Sequence, residues 1–336
     1  MTREYLTAII AGSCLTMLTP SVAAQSGLTI QRTPEGHPNI QGLFTFRTLT
    51  PLERPVIEAG ASAALAGKES LTAEEAAAYE ASRRTELNRD LQNLQVHAPG
   101  VRYQSLAEGG VGGYNEFWYE RGIELTSDKR TSLVVDPPSG RIPYREEFQA
   151  VSRIDRLNIR NGFADSYTDR SLSDRCLLGF NAGPPMVSSA YNNNVQILQT
   201  ADYVVIFNEM VHNARLVPID GRPHGVLKQY SGDSRGHWEG ETLVIETKNF
   251  LRETSLAGSS QDTHLVERFR RVDPDTVIYE FTVTDPNGYT HPWTAAMPLR
   301  RTDGPLFEYA CHEGNIGLSG ILAGARNLDT QRVRTP

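Results

Sequence analysis

The C-terminal half of the chain carries a series of short strand patterns separated by turns, with no helix pattern among them. The predicted strands cover 195–199, 203–207, 215–219, 237–238, 242–247, 265–271, 276–284 and 290–299. Short strands joined by tight turns predict an antiparallel meander. A long meander has edges to protect, and closure into a barrel removes them. We therefore predict a mainly β fold, an antiparallel meander closed into a lipocalin-like β-barrel with an interior that holds one small ligand.

The first 24 residues have the pattern of a secretory signal peptide. Arg3 supplies the positive start, an apolar stretch runs to about Leu18, and small residues at 22–24 precede a cleavage position before Gln25. A buried N-terminal helix is the alternative. After this segment no apolar run is long enough to cross a membrane. The sequence thus predicts a periplasmic or secreted protein with no transmembrane segment in the mature chain.

Residues 25–100 form a predicted extended N-terminal segment, and residues 101–336 form the predicted barrel domain. The N-terminal segment carries a short strand at 43–46 and a helix at 71–95. Thr72 and Glu75 have the spacing of a capping box at the start of this helix. The helix has few apolar residues, so we expect it to lie on the surface.

Composition and motifs exclude several classes of function. Asp and Glu number 40 against 33 Lys and Arg, which gives a net charge of −7 and argues against nucleic-acid binding. His-x-x-x-His and Cys-x-x-Cys spacings are missing from the sequence, so no metal site is predicted. No glycine-rich phosphate motif follows a strand and opens a helix, so no cofactor is predicted. The sequence does not indicate an oligomeric state.

Two cysteines, Cys176 and Cys311, remain after removal of the signal. In an oxidising compartment they form a disulfide if the fold brings them within bonding range. Otherwise they are small buried apolar residues. The sequence leaves both possibilities open.

The segment 311–315 places a thiol, an imidazole, a carboxylate and an amide next to a glycine. A neighbouring His and Glu can transfer protons near neutral pH, so His312 and Glu313 are candidate catalytic residues. Asn315 is a candidate for orienting the polar groups of a ligand.

Segments 236–250 (GHWEGETLVIETKNF), 285–294 (DPNGYTHPWT) and 311–315 (CHEGN) resemble a largely uncharacterised family of secreted bacterial proteins. Shorter matches at 42–44, 50–55 and 191–194 extend this resemblance over most of the mature chain. It implies secretion but brings no catalytic residues. The meander also resembles lipocalin barrels in topology, although Phe44 stands where lipocalins have tryptophan.

A second pair of candidate catalytic residues, Glu209 and His212, follows the apolar strand at 203–207. A bend in the strand would turn both toward a cavity, and desolvation there would raise the pKa of a carboxyl group. The alternative is a strand that leaves the core and enters solvent. Asn194, at the start of the preceding strand, is a further candidate for orienting a ligand.

Strand alternation places Glu267 on the apolar face of the strand that begins at His264. A buried carboxylate needs a partner, and Arg215 and Arg300 are the candidates. The pair is either structural or part of a ligand site. Arg215, His264, Glu267 and Trp293 are included among the candidate ligand-binding residues.

Ionisable groups at strand ends, in a fold that can enclose a ligand, suggest a cofactor-independent enzyme. Its chemistry is proton transfer of the lyase, isomerase or hydratase type, on a small hydrophobic or aromatic molecule. The first alternative is a periplasmic carrier or sensor of hydrophobic molecules. The second is an envelope protein in which the Cys-His-Glu loop locks the end of the barrel.

Overall fold

The structure, a computed structural model, describes residues 30–56, 61–91, 115–146, 164–251, 256 and 259–334. Its strands are β1 (Gly42–Thr45), β2 (Val134–Asp136), β3 (Asn194–Gln199), β4 (Tyr203–Asn208), β5 (Ala214–Pro218), β6 (Asp233–Glu239), β7 (Thr242–Lys248), β8 (His264–Asp273), β9 (Thr276–Thr284) and β10 (Trp293–Arg301). Its helices are α1 (Ala73–Leu87) and α2 (Ile316–Arg334), with single 3-10 turns at Ala61–Leu65, Glu116–Trp118, Tyr167–Asp169 and Met210–His212. The predicted signal peptide lies outside the described residues. None of the described helices combines the length and apolar character that a membrane crossing requires.

The ten strands form one antiparallel sheet in the order β5-β4-β3-β1-β10-β9-β8-β7-β6, with β2 paired to β10. From β6 to β10 the spatial order follows the chain, so the predicted meander is confirmed. Strand β1 lies between β3 and β10, where Phe44 is opposite both Val195 and Arg301. The N-terminal segment, which the sequence placed outside the barrel domain, therefore supplies a central strand of the barrel.

The barrel closes where its two end strands, β5 and β6, come together. Gly236 on β6 lies so close to β5 that a Cβ atom there would be 3.1 Å from Val217 and 2.8 Å from Ile219 just beyond that strand. A larger residue would separate the two strands at this point. The glycine of the 236–250 motif thus permits close packing across the seam.

Large side chains pack the interior of the barrel. Trp293, Tyr279, Phe269 and Phe281 are fully buried, and the rings of Phe269 and Tyr279 have centroids 4.8 Å apart. Alternate residues of β9 point inward, as the burial of this strand shows. These side chains fill the barrel interior, where the sequence predicts a ligand. A binding site is therefore better sought at the barrel ends and on the outer surface.

Helix α1 lies on the outside and buries only Ala76 and Tyr79, in agreement with the predicted surface helix. Its capping box is present: Glu75 N donates to Thr72 Oγ1 at 3.2 Å, and Thr72 N donates to Glu75 Oε2 at 2.9 Å. Helix α1 ends at Leu87, and residues 89–91 are helical again after Asn88, so the predicted helix is interrupted at this asparagine. The Asn88 side chain accepts hydrogen bonds from the two backbone N–H groups of Asp90 and Leu91. Residues 92–95 of the predicted helix lie outside the described residues.

Candidate functional site

The structure distributes the predicted site residues over several places. The barrel interior holds Arg215, Glu267 and Trp293; one rim holds Asn194 and Glu209; the disulfide region holds Cys176, Cys311, His312, Glu313 and Asn315; the outer face holds His264; and His212 is exposed. The candidate catalytic residues differ in exposure: Glu209 is buried, whereas His312 and Glu313 are exposed. The rim around Asn194 and Glu209 is the place where predicted residues meet a further ionisable group.

Glu209 follows β4 and is 1% exposed. Its Oε2 accepts a hydrogen bond from Asn194 Nδ2 at 2.8 Å, and its Oε1 accepts one from the backbone N–H of Phe307 at 2.8 Å. Both carboxylate oxygens are therefore satisfied, and the side chain has one fixed orientation. Glu209 also links the rim of the barrel to the segment that leads to Cys311.

Glu120 is the residue that sequence reasoning missed at this rim. The same amide, Asn194 Nδ2, lies 3.5 Å from Glu120 Oε2, so Asn194 stands between the two carboxylates. Glu120 is partly exposed, in contrast to Glu209. Glu120 and Asn194 are 74 residues apart, so no local pattern links them. The one sequence signal at Glu120 is its position at the end of an aromatic-rich segment.

The surroundings of Glu120 raise the pKa of its carboxyl group. Burial is the largest cause and the charge of Glu209 is the second; Arg47 and the backbone N–H of Asn192 act in the opposite direction. The protonated form of Glu120 thus persists to higher pH than that of a solvated Glu. An acid with a raised pKa beside a fixed carboxylate is an arrangement suited to general acid–base chemistry.

The segment 191–194 builds this rim. Asn193 is fully buried, and its Nδ2 donates to the carbonyl of Glu120 at 2.9 Å, which fixes the backbone of the acid. Asn192 adopts a φ of 52°, a left-handed conformation that asparagine tolerates. The 191–194 segment of the family resemblance therefore has a local role in positioning Glu120 and Asn194.

The turn after Glu209 is held in an unfavourable backbone conformation. Val211 has a φ of 58° and His212 a φ of 37°. A β-branched residue rarely adopts positive φ, and such strain is concentrated at functional sites. The turn directs His212 into solvent, so the predicted pairing of Glu209 with His212 around one cavity is not present.

Inside the barrel, Glu267 is paired with Arg215, one of its two predicted partners. Arg215 Nη2 donates to Glu267 Oε1 at 2.9 Å, and a second, shorter contact joins Arg215 Nη1 to Glu267 Oε2. Tyr279 donates to Glu267 Oε1 at 2.7 Å, and burial followed by the Glu267 charge raises the pKa of this tyrosine well above its usual value. Every ionised group of this network has a buried partner, as a structural ion pair requires.

The C-terminal motif is fixed by covalent and polar contacts. Cys176 and Cys311 form a disulfide with Cα atoms 5.7 Å apart, so the question left open by the sequence is settled in favour of a bridge. Asn315 Oδ1 accepts from Leu318 N at 3.2 Å and thus caps α2, which the sequence analysis missed. Asn315 Nδ2 donates to the carbonyl of Asp174 at 2.8 Å.

On the outer face, His264 belongs to a chain of polar contacts. His264 Nε2 is 2.7 Å from Glu246 Oε1, and His224 Nε2 is 3.2 Å from Glu246 Oε2. Lys248 and both histidines contact Glu246, and the hydrogen bond from Lys248 is the largest cause that lowers its pKa to about 2. Within the described ranges no group of His, Cys, Asp and Glu side chains has an arrangement that would hold a metal ion.

Comparison with known proteins does not assign the chain to a family. No protein-family model matches it, and no curated protein matches it in sequence.

Proposed function

We propose that the protein is a cofactor-independent acid/base enzyme whose site is the rim around Glu120, Asn194 and Glu209. The observation that carries the proposal is the pair of carboxylates on either side of the Asn194 amide, one buried and one with a raised pKa. Structural ion pairs also perturb pKa values. Here burial is the largest cause of the raised pKa of Glu120, and the second is the charge of another carboxylate rather than a cationic partner.

The chemistry that fits this geometry is proton transfer. Glu120 would donate its proton to a substrate oxygen as a neighbouring bond breaks, and would take a proton back in the reverse direction. The negative charge left on Glu120 would be stabilised by Asn194 Nδ2 and by the backbone N–H of Asn192. Glu209 would keep its orientation throughout because the hydrogen bonds from Asn194 and Phe307 hold it.

Two features of the rim support a small molecule with an apolar or aromatic part. Tyr119 and Tyr191 adjoin the site and lie with ring centroids 6.3 Å apart. Buried amide atoms of Asn181, Asn208 and Asn213 lack a hydrogen-bond partner among the described residues. Buried polar groups are almost always hydrogen-bonded to protein or to ordered water, so a water molecule or a polar ligand group would bond these atoms.

We infer an exported protein from the disulfide together with the signal-like segment 1–24. Disulfides persist in oxidising compartments, and the Cys176–Cys311 bridge fits a periplasmic or secreted location. The subcellular location can be checked by fractionation of the host cells.

The test is a substrate search by mass spectrometry in a metabolite extract, with wild type, Glu120→Gln and Glu313→Gln compared. We expect Glu120→Gln to slow depletion of a substrate by about 10²–10⁴-fold, the usual contribution of a positioned acid. Because a charge at Glu120 is disfavoured in the folded protein, the Glu120→Gln melting temperature should not fall. Glu313→Gln, at an exposed position, is the matched control and should leave depletion unchanged. Equal depletion by wild type and Glu120→Gln would refute the proposal.

A carrier function is the second candidate, and a cleft beside the disulfide favours it. The cleft has a volume of about 470 Å³ and is lined in part by Tyr309, Leu318 and Ile321. This volume lies in the range of small-molecule pockets. Native mass spectrometry of protein purified from its own host should show a retained small molecule if the cleft serves a carrier.

A further inference from the structure

A second cavity lies at the barrel end away from Glu209. Strand β1 runs from Gly42, opposite Ile197 of β3, to Thr45, opposite Asn194 at the rim described above. The cavity has a volume of about 300 Å³ and lies at the Gly42 end, where the N-terminal segment crosses the turn between β8 and β9. Its charged lining residues are Arg271, Asp273, Asp275 and Arg301.

Arg271 is a buried cation with no carboxylate partner among the described residues. It is 6% exposed, and its guanidinium donates to the backbone carbonyls of Asn39 at 2.6 Å, Gln41 at 2.9 Å and Pro274 at 2.5 Å. The guanidinium also lies 5.5 Å from the ring centroid of Phe44. Burial and the charge of Arg301 lower the pKa of Arg271, while the charges of Asp273 and Asp275 act in the opposite direction without forming an ion pair with it. A buried guanidinium in these surroundings favours a bound anion.

Arg301 adds a second guanidinium to the cavity. Its Nε is 3.6 Å from Asp275 Oδ1, which is too long for a hydrogen bond, and its side chain is 46% exposed. The charge of Arg301 contributes to a lowered pKa of Arg271, after burial, so the two cations act on the same space. Paired guanidinium groups are the usual partners of a carboxylate in proteins.

The acidic residues lie nearer to solvent than Arg271. Asp275 has a side chain that is 76% exposed, in contrast to the buried Arg271. The base of the cavity is thus positive at Arg271, and the exposed mouth carries the negative charge of Asp275 next to the positive charge of Arg301. A ligand with a carboxylate at one end and an ammonium group at the other matches this arrangement.

The wall of the cavity is already fixed by hydrogen bonds. Asn39 N donates to Gln31 O at 2.8 Å, and Gln199 Nε2 donates to Pro38 O at 3.3 Å. Arg32 is tied to Glu241 at 2.5 Å. A preformed site loses little conformational freedom when a ligand binds. The volume of about 300 Å³ lies at the lower end of the range of small-molecule pockets.

We propose that this cavity is a binding site for a free α-amino acid, with the ligand carboxylate between Arg271 and Arg301 and its ammonium group near Asp273 and Asp275. The site is separate from the rim of Glu120. It would therefore bind a small molecule other than the substrate proposed for that rim. The proposal does not depend on the acid/base function.

Isothermal titration calorimetry with a panel of amino acids tests the proposal, with the N-acetylated and the C-amidated form of each as chemical controls. We expect free amino acids to bind, and each blocked form to bind at least tenfold more weakly. Arg301→Gln should weaken binding of the free amino acid at least tenfold. Asp275→Asn should weaken it while leaving the N-acetylated form unaffected or better bound.

Arg300→Gln is the matched control variant, because Arg300 is the next residue on the same strand and its side chain points toward Glu124 instead. This variant should bind like wild type. Lack of binding of all panel members at millimolar concentration would overturn the proposal. So would equal binding by wild type and Arg301→Gln. Arg271 is left unchanged because its three hydrogen bonds to backbone carbonyls also stabilise the fold.

Discussion

Arg215 on β5 and Glu267 on β8 form a two-point ion pair across the interior of the barrel, with Arg215 Nη2 at 2.9 Å from Glu267 Oε1. Strand β8 is the third strand counted from the β6 edge, and β5 is the other edge of the sheet. The pair therefore joins two parts of the sheet that the hydrogen-bond ladder leaves far apart. The ion pair connects β5, at the seam of the barrel, to β8 on the other side of the interior.

Removal of one partner of this ion pair should destabilise the protein strongly. We expect Glu267→Gln to lower the free energy of unfolding by about 3–5 kcal/mol, because it leaves the Arg215 charge buried without a partner. The double variant Arg215→Met with Glu267→Leu should recover most of this loss. Urea unfolding measures both. Glu86→Gln, which breaks an exposed pair with Arg83, should change stability by less than about 1 kcal/mol. A Glu267→Gln protein as stable as wild type would contradict this account.

Asn315 should affect stability through the polar contacts of its side chain. We expect Asn315→Ala to cost about 1–2 kcal/mol of unfolding free energy and to reduce the helix signal in circular dichroism, because the cap of α2 is lost. Asn315→Asp keeps the capping oxygen but loses the donor to the carbonyl of Asp174. Its stability should therefore fall between those of wild type and Asn315→Ala. The cap would have no importance if Asn315→Ala unfolded at the wild-type urea concentration.

The disulfide should make a large contribution to stability. Its cysteines are 135 residues apart in sequence, and the chain-entropy model gives about 5 kcal/mol for closure of a loop of this length. Reduction of the disulfide should lower the melting temperature. The double variant Cys176→Ser with Cys311→Ser should lower it by a similar amount. Differential scanning calorimetry with and without a reductant measures this, and the double variant should not respond to the reductant. An identical melting temperature in both conditions for wild type would show that the bridge contributes little.

Glu246 should make the stability depend on pH in the acidic range. Its pKa in the folded protein is lowered from 4.5 to about 2 by hydrogen bonds from Lys248, His224 and His264. A lowered carboxyl pKa stabilises the folded state above the unfolded value, and this stabilisation is lost as the pH falls from about 4.5 to about 2. Glu246→Gln should therefore lose less stability than wild type across this range. Urea unfolding at several pH values measures the difference, and parallel curves for the two proteins would disprove the role of Glu246.

The sequence was sufficient to predict most of the barrel because period-2 alternation and turn residues act locally. Strand β9 was predicted with the bounds it has in the structure, and β4 differs by one residue. Helix α2 was missed because Gly317, Gly320 and Gly324 lower its helix propensity. Asn315, the capping residue at its start, is predicted from the sequence to orient the polar groups of a ligand instead.

At the candidate site, the sequence predicted single residues but not their neighbours. Glu209 was a candidate because a carboxylate after an apolar strand is partly desolvated, and Asn194 because it begins the preceding strand. Glu120 could not be linked to them, since 74 residues separate it from Asn194 and only the fold brings them together. His312 and Glu313 had suitable chemistry, but their exposure is decided by the disulfide and by the start of α2.

The amino-acid sequence by itself determined the strands, the antiparallel order of the meander and the capping box of α1. These depend on residues that are near one another in the chain. The tertiary structure alone decided the closure of the barrel at Gly236, the packing of its interior, the Cys176–Cys311 bridge and the meeting of Glu120 with Glu209. The physical reason is that burial, charge pairing and pKa shifts depend on distances in space, which local sequence patterns do not contain.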